Sequence, residues 1–179
     1  MSLIEIVPYD PTWPALFQVE ATRIRRALGE FACRIDHVGS TSVPGLGAKP
    51  VIDIQISVRQ LHPMEPYVIR LCELGYSHVP HPDDEVCPFL HRPKDWPHTH
   101  HIHVCQLSSL EERRHLAFRD FLRDHSEVAE VYYHEKMALA PNFSADTFES
   151  RNAYADAKSA FIEPVVQRAL AEGYPLHEH

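Results

Sequence analysis

In the stretch "HVGSTSVPGLGAKPVID", residues 37–53, a Gly39-Ser40 turn stands thirteen residues before Asp53, which sits among branched apolar residues. A small-residue turn offers backbone N–H donors and lets a phosphate come close. The hydroxyls of Ser40, Thr41 and Ser42 add further polar groups, and Lys49, in the loop leading to Asp53, is placed to meet a phosphate. A carboxylate fixed on a strand supplies the hard oxygen ligand that an accompanying divalent cation needs. Together these features suit phosphoryl or nucleotidyl transfer. Either alone also fits an ordinary turn or a rim carboxylate; the spacing and the strand context raise the functional reading.

A second chemical stretch is "HTHHIHV", residues 98–104. On a strand, Thr99, His101 and His103 project to one side and His100, Ile102 and Val104 to the other. His101 and His103 then have the i, i+2 spacing of imidazoles that share a metal ion. An aspartate such as Asp53 together with the two histidines would form a mixed site suited to Zn²⁺, Mn²⁺ or Fe²⁺ more than Mg²⁺. One of them could instead be a general base or a phosphate donor, and simple hydrogen bonding on a half-exposed strand is the third reading. His37, two residues before Gly39, could reach the same cleft.

Helical segments add basic and aromatic groups. His115, Arg119 and Arg123 recur at i, i+4 and i+8, either as a face paired with Glu111 and Glu112 or as an anion clamp built on arginine. Tyr132/Lys136 and Tyr154/Lys158 repeat a Tyr-x-x-x-Lys spacing that puts each pair on one helix face. A tyrosine there can stack on a base while its lysine meets phosphate; the alternative is core packing with a snorkelling lysine.

These groups need elements to hold them. "PVIDIQISV" alternates well, with Ile52, Ile54, Ile56 and Val58 on one face and Val51, Asp53, Gln55 and Ser57 on the other. "ACRIDHV", a short stretch near 86–92 and "HHIHVCQL" read as further strands, and "IEIVPYDPTW" as a short strand or extended arm. Thr12 is expected to cap a first helix with Leu16, Val19, Ile24, Ala27 and Leu28 on its apolar side and Gly29 as its stop. "MEPYVIRLCELG" reads as a second helix. From Ser108 the pattern is helical, opening with a Ser108/Glu111 capping box. The expected organisation is an α/β core over 1–107 and a C-terminal bundle of about three helices over 108–179, packed as one unit.

Composition narrows the partners. A net charge of −8 argues against a general DNA-binding surface, while leaving room for a local basic groove. No apolar run approaches the roughly 18 residues of a membrane span, and "MSLIEIVPYDPTW" lacks a signal layout. A cytoplasmic protein with reduced cysteines is expected, since the four cysteines show no C-x-x-C pair. Nothing in the pattern specifies an oligomeric state.

The stretch "HVGSTSVPGLGAKPVIDI" resembles the signature of the GrpB family, a group of bacterial proteins with a nucleotidyltransferase-like fold. "YDPTWPALF", "THHIHV", "FRDFLRDH" and "YADAKSAFI" extend the resemblance over essentially the whole chain. It implies an α+β fold, a small mixed sheet flanked by helices with a C-terminal helical bundle. It also implies metal-dependent transfer of a nucleoside monophosphate from a triphosphate to a small molecule or RNA, using Mg²⁺ or Mn²⁺. In the wider superfamily Gly-Ser is followed by Asp-x-Asp/Glu and a later third carboxylate. Gly39 and Ser40 match the turn and Asp53 the first ligand, but the second position falls on neutral Gln55. That departure opens two alternatives: a binding module without turnover, or a different Asp/His metal enzyme acting on a phosphorylated or carboxylated metabolite.

Overall fold

The computed structural model describes residues 2–176. Residue 1 and residues 177–179, at the outer limits of the two expected regions, lie outside the described residues. Helix α1 (Trp13–Leu28) leads into strand β1 (Arg34–Val38) and strand β2 (Ile52–Val58). Helix α2 (Glu65–Glu73), a two-residue strand β3 (Ser77–His78), β4 (Phe89–Arg92) and β5 (His100–Gln106) complete the sheet. Helices α3 (Leu110–Asp124), α4 (Ser126–Leu139) and α5 (Phe148–Ala171) follow. The sheet order is β1-β2-β5-β4-β3, mixed, with β2 and β5 parallel and the other neighbours antiparallel. The expected α+β class with a small mixed sheet and a C-terminal helical region is the one the chain adopts.

Both faces of β2 are covered. Ile52, Ile54, Ile56 and Val58 pack with Trp13, Phe17, Ile24 and Leu28 of α1 and Tyr67 and Leu71 of α2. On the opposite face Gln55 and Ser57 are also fully buried, with Gln55 bonded to groups of α3. Behind it α3, α4 and α5 join through Phe118, Leu122, Tyr132 and Phe161. Val43 and Leu46, from the loop after Gly39-Ser40, are buried in that same cluster. Burying each is worth about 1.5–3 kcal/mol, so the turn is anchored in the helical layer.

Three sequence expectations need correction. The buried side of α1 is Trp13, Phe17, Glu20, Ile24 and Leu28, whereas Leu16 and Val19 are exposed. Glu20 hides the stripe: Arg92 at 2.9 and 3.0 Å and the Tyr76 hydroxyl at 2.9 Å satisfy its buried carboxylate. Thr12 makes no side-chain cap, because its hydroxyl donates to Asp10 at 2.7 Å. The capping residue of α3 is Ser109, one position later than expected, and it accepts from the Glu112 N–H. Glu112 reaches back to the Ser108 N–H at 2.6 Å. The short β3, within a segment that reads as turns, was not foreseen.

Candidate functional site

The register of the parallel pair builds the site. Asp53 lies opposite His101 and Gln55 opposite His103. Asp53 Oδ1 accepts from His101 Nδ1 at 3.2 Å and lies 3.7 Å from His103 Nε2. The other ring nitrogen of His101 meets His98 Nδ1 at 3.1 Å, and His98 stacks on His91 with centroids 4.0 Å apart. Burial alone would push the Asp53 carboxyl up, but the bonds from His101 and His103 hold it well below the usual carboxylate range. For His103 burial opposes charge, yet Asp53 and Cys87 outweigh it and push the imidazole up to about 10. Burial instead keeps His101 below its ordinary value and lowers His98 to about 3. Asp53 is therefore an ionised carboxylate beside one charged and one neutral imidazole.

Gly39 closes on the other oxygen. Its φ is +69°, and a Cβ built there would lie 2.5 Å from Asp53 Oδ2. Only glycine takes this conformation at little cost and lets the turn approach so near. Ser40–Ser42 form a single 3₁₀ turn. The Ser42 hydroxyl donates to the Gly39 carbonyl at 2.6 Å, and the buried Thr41 hydroxyl meets His37 Nε2 at 2.9 Å. Those two hydroxyls hold the turn, while Ser40 is half-buried and pairs with the Tyr132 hydroxyl.

Three lysines from distant parts of the chain share the neighbourhood of Asp53. Lys49 and Lys158 lie 5.3 and 4.7 Å from the Tyr154 ring, and Lys136 lies 4.7 Å from the Tyr132 ring. Lys49 also sits 6.0 Å from Trp96. Each lysine feels the Asp53 charge, and Lys136 feels both of the others. Burial is the main force on all three: it lowers Lys49, brings Lys158 to about 8 with help from Lys49, and Lys136 to about 7 with help from Lys158. For each of the three, the Asp53 carboxylate is the opposing charge that acts against this lowering. Beneath them the Tyr154 hydroxyl is buried without a hydrogen-bond partner.

Other expected residues go elsewhere. His37 stacks on Phe17 with centroids 4.8 Å apart, and burial lowers it to about 4. Arg119 donates to the His37 carbonyl at 3.2 Å and pairs with Asp120 at 2.7 Å. Both line a recess of about 320 Å³ on the flank of the turn, with Tyr9, Phe17, Asp36, Ser42 and Arg123. Gln55 is fully buried, and its Oε1 accepts from His115 Nδ1 at 2.7 Å. This is the second ligand position of the expected Asp-x-Asp/Glu pair. With one carboxylate at Asp53 and the Gln55 oxygen taken, the donors do not fit two closely spaced hard cations. A single Mg²⁺ or Mn²⁺ is the hard cation such a donor set would fit, since it needs as little as one protein carboxylate when other oxygens complete its shell.

A family model described as GrpB protein matches residues 3–168. The chain belongs to the GrpB family. UPF0157 protein PA4798 of Pseudomonas aeruginosa is 40% identical over 171 residues, covering 94% of this chain and 68% of that protein. The crystal structure of GrpB from Enterococcus faecalis superposes with a TM-score of 0.82 at 31% identity, over 94% of this chain and 98% of that one. The Cid1 poly(U) polymerase aligns at a TM-score of 0.49 and 9% identity, over 83% of this chain and 50% of that one, too distant to bear on chemistry.

In this GrpB chain several site residues escape sequence reasoning. His98, Trp96 and Cys87 lie in proline-rich loops, where periodicity carries no information. His115 reads only as part of an arginine stripe, yet it supports Gln55. The Cys87 and Cys105 sulfurs lie 3.7 Å apart. The bond from Cys105, against burial, brings the Cys87 thiol down to about 6 and pushes Cys105 up.

Proposed function

We propose that this chain binds a nucleoside triphosphate in the cleft between Asp53 and the three lysines, and transfers its nucleotidyl group to a hydroxyl of a small molecule or RNA. The observation that carries this reading is the gathering of three buried lysines in the neighbourhood of Asp53, Lys49 and Lys158 over the Tyr154 ring and Lys136 over the Tyr132 ring. A polyphosphate offsets the three mutually repelling cations, and the Gly39-Ser40 turn adds its N–H groups at close range. Asp53 would hold one Mg²⁺ or Mn²⁺ brought by the substrate, which neutralises phosphate charge. In the transfer, the acceptor oxygen bonds to the α-phosphorus and the bond to pyrophosphate breaks. The acceptor proton leaves to solvent, and the lysines meet the charge on the departing pyrophosphate.

A second reading, binding without turnover, is favoured by Gln55, whose oxygen is committed to His115. Incubation with α-labelled ATP, GTP, CTP and UTP, Mg²⁺, and pooled hydroxyl acceptors or RNA separates the two. Labelled product and pyrophosphate in equal amounts, lost in Asp53→Asn, supports transfer. Nucleotide bound by the folded protein with no pyrophosphate from any of the four favours the binding module.

A further inference from the structure

We propose that Cys87, His103 and His115 bind one transition-metal ion of the Zn²⁺ class, at a site that adjoins the Asp53 cleft through His103 but whose ion binding does not depend on whether that cleft holds a nucleotide. One ligand atom from each of the three lies within 4.8 Å of the other two. They come from three elements: the segment before β4, strand β5 and helix α3. All three are partly buried, so the site is held by the fold but open to ion exchange.

The surroundings are those of a ligand set. A metal-bound histidine commonly donates its second N–H to a carbonyl or carboxylate, which fixes the tautomer and aims the ring. His115 Nδ1 is bonded to Gln55 Oε1 at 2.7 Å, which leaves Nε2 with its lone pair to offer. His103 Nε2 faces Asp53 Oδ1 at 3.7 Å, which leaves Nδ1, where a bound metal would take the place of the proton. Gln55 is fully buried, and its oxygen accepts from His115 Nδ1 at 2.7 Å and from the Cys105 thiol at 3.8 Å. The neutral amide at the second-ligand position thus gains a purpose: it orients an imidazole rather than binding a hard cation.

Donor chemistry selects the ion. One thiolate and two imidazoles favour Zn²⁺-like metals over Mg²⁺ or Ca²⁺, which prefer oxygen. Three protein ligands leave a fourth tetrahedral position for water or an exogenous ligand. Cys105, buried and 3.7 Å from the Cys87 sulfur, is the competing thiol that the test must exclude.

Full-length protein is stripped with a chelator and titrated with Co²⁺, whose thiolate charge-transfer absorption reports a cysteine ligand directly, and then with Zn²⁺. The expected result is one equivalent of Co²⁺, with a band that Zn²⁺ displaces and Cys87→Ser abolishes. Gln55→Leu, a positioning change, is expected to weaken affinity about 10–100-fold while keeping the band. His115→Ala provides a second ligand variant should Cys87→Ser fail to fold, with circular dichroism as the check, and it too should weaken binding at least tenfold. No stoichiometric band in the folded wild type overturns the proposal. So does a band that survives Cys87→Ser and disappears in Cys105→Ser or in Cys72→Ser, which alters an exposed thiol.

Discussion

Lys136→Met replaces a buried ammonium with an apolar side chain of similar length. Lys136 is 3% exposed and donates to the buried Gly47 carbonyl. Burial, aided by Lys158, lowers it from 10.5 to about 7. At pH 7 a shift of that size amounts to roughly 4 kcal/mol of destabilisation of the folded state. Removing the ammonium leaves the Gly47 carbonyl unpaired, at a cost of about 1–3 kcal/mol. The variant should therefore be more stable than wild type by about 2 kcal/mol at pH 7, or roughly 4–8 °C in Tm for a chain of this size. The sign with pH follows from linkage. Between about pH 7 and 10.5 the unfolded wild type carries more protons at this lysine than the folded protein, so wild-type stability rises with pH across that window. The advantage of Lys136→Met is thus greatest below pH 7 and gone above pH 10.5. Urea denaturation of both proteins at pH 6, 7, 8.5 and 10 measures it. A variant that is less stable than wild type by 2 kcal/mol or more at pH 7, with a difference that does not change with pH, would refute this reasoning. Lys136 would then be a structural donor rather than a cation held against its preference for a ligand.

Two further substitutions probe the surroundings. Gly39→Ala must place a Cβ 2.5 Å from Asp53 Oδ2 at φ +69°, so a loss of about 2–4 kcal/mol is expected from backbone strain and overpacking, read by thermal denaturation. Arg119→Gln is expected to leave nucleotide affinity within about twofold, because Arg119 is engaged with His37 and Asp120 at the recess lined by Tyr9 and Phe17; isothermal titration checks it, and because both partners are largely buried a stability loss of about 1–3 kcal/mol accompanies it.

Much of the site was legible because strand periodicity is strict. Asp53 and Gln55 share one face of β2, and His101 and His103 one face of β5, by alternation alone. The register that sets Asp53 opposite His101 was not legible, since it depends on how two distant strands pair. The Tyr-x-x-x-Lys spacing found Lys136 and Lys158, but the sharing of Tyr154 by Lys49 and Lys158 is a long-range contact. Helical spacing put Arg119 on a stripe without saying which side of β1 that stripe would meet. On α1 a charged residue, Glu20, occupies the buried face because Tyr76 and Arg92 satisfy it. That pairing across the fold shifted the apparent apolar stripe onto Leu16 and Val19. Cys87, His103 and His115 come from separate elements, and no local pattern links them.

The most direct measurement is isothermal titration of ATP, GTP, CTP and UTP, each with Mg²⁺, into wild type, Asp53→Asn and Lys158→Met at pH 6.5 and 9. Burial holds Lys136 near 7 and Lys158 near 8, and both must be charged to meet a phosphate. At least one nucleotide should therefore bind, with affinity that falls at least tenfold on raising the pH to 9 and is lost in Lys158→Met. Absence of binding to any of the four by folded wild-type protein at pH 6.5, or binding indifferent to both pH and Lys158, would contradict a phosphate site built on these lysines.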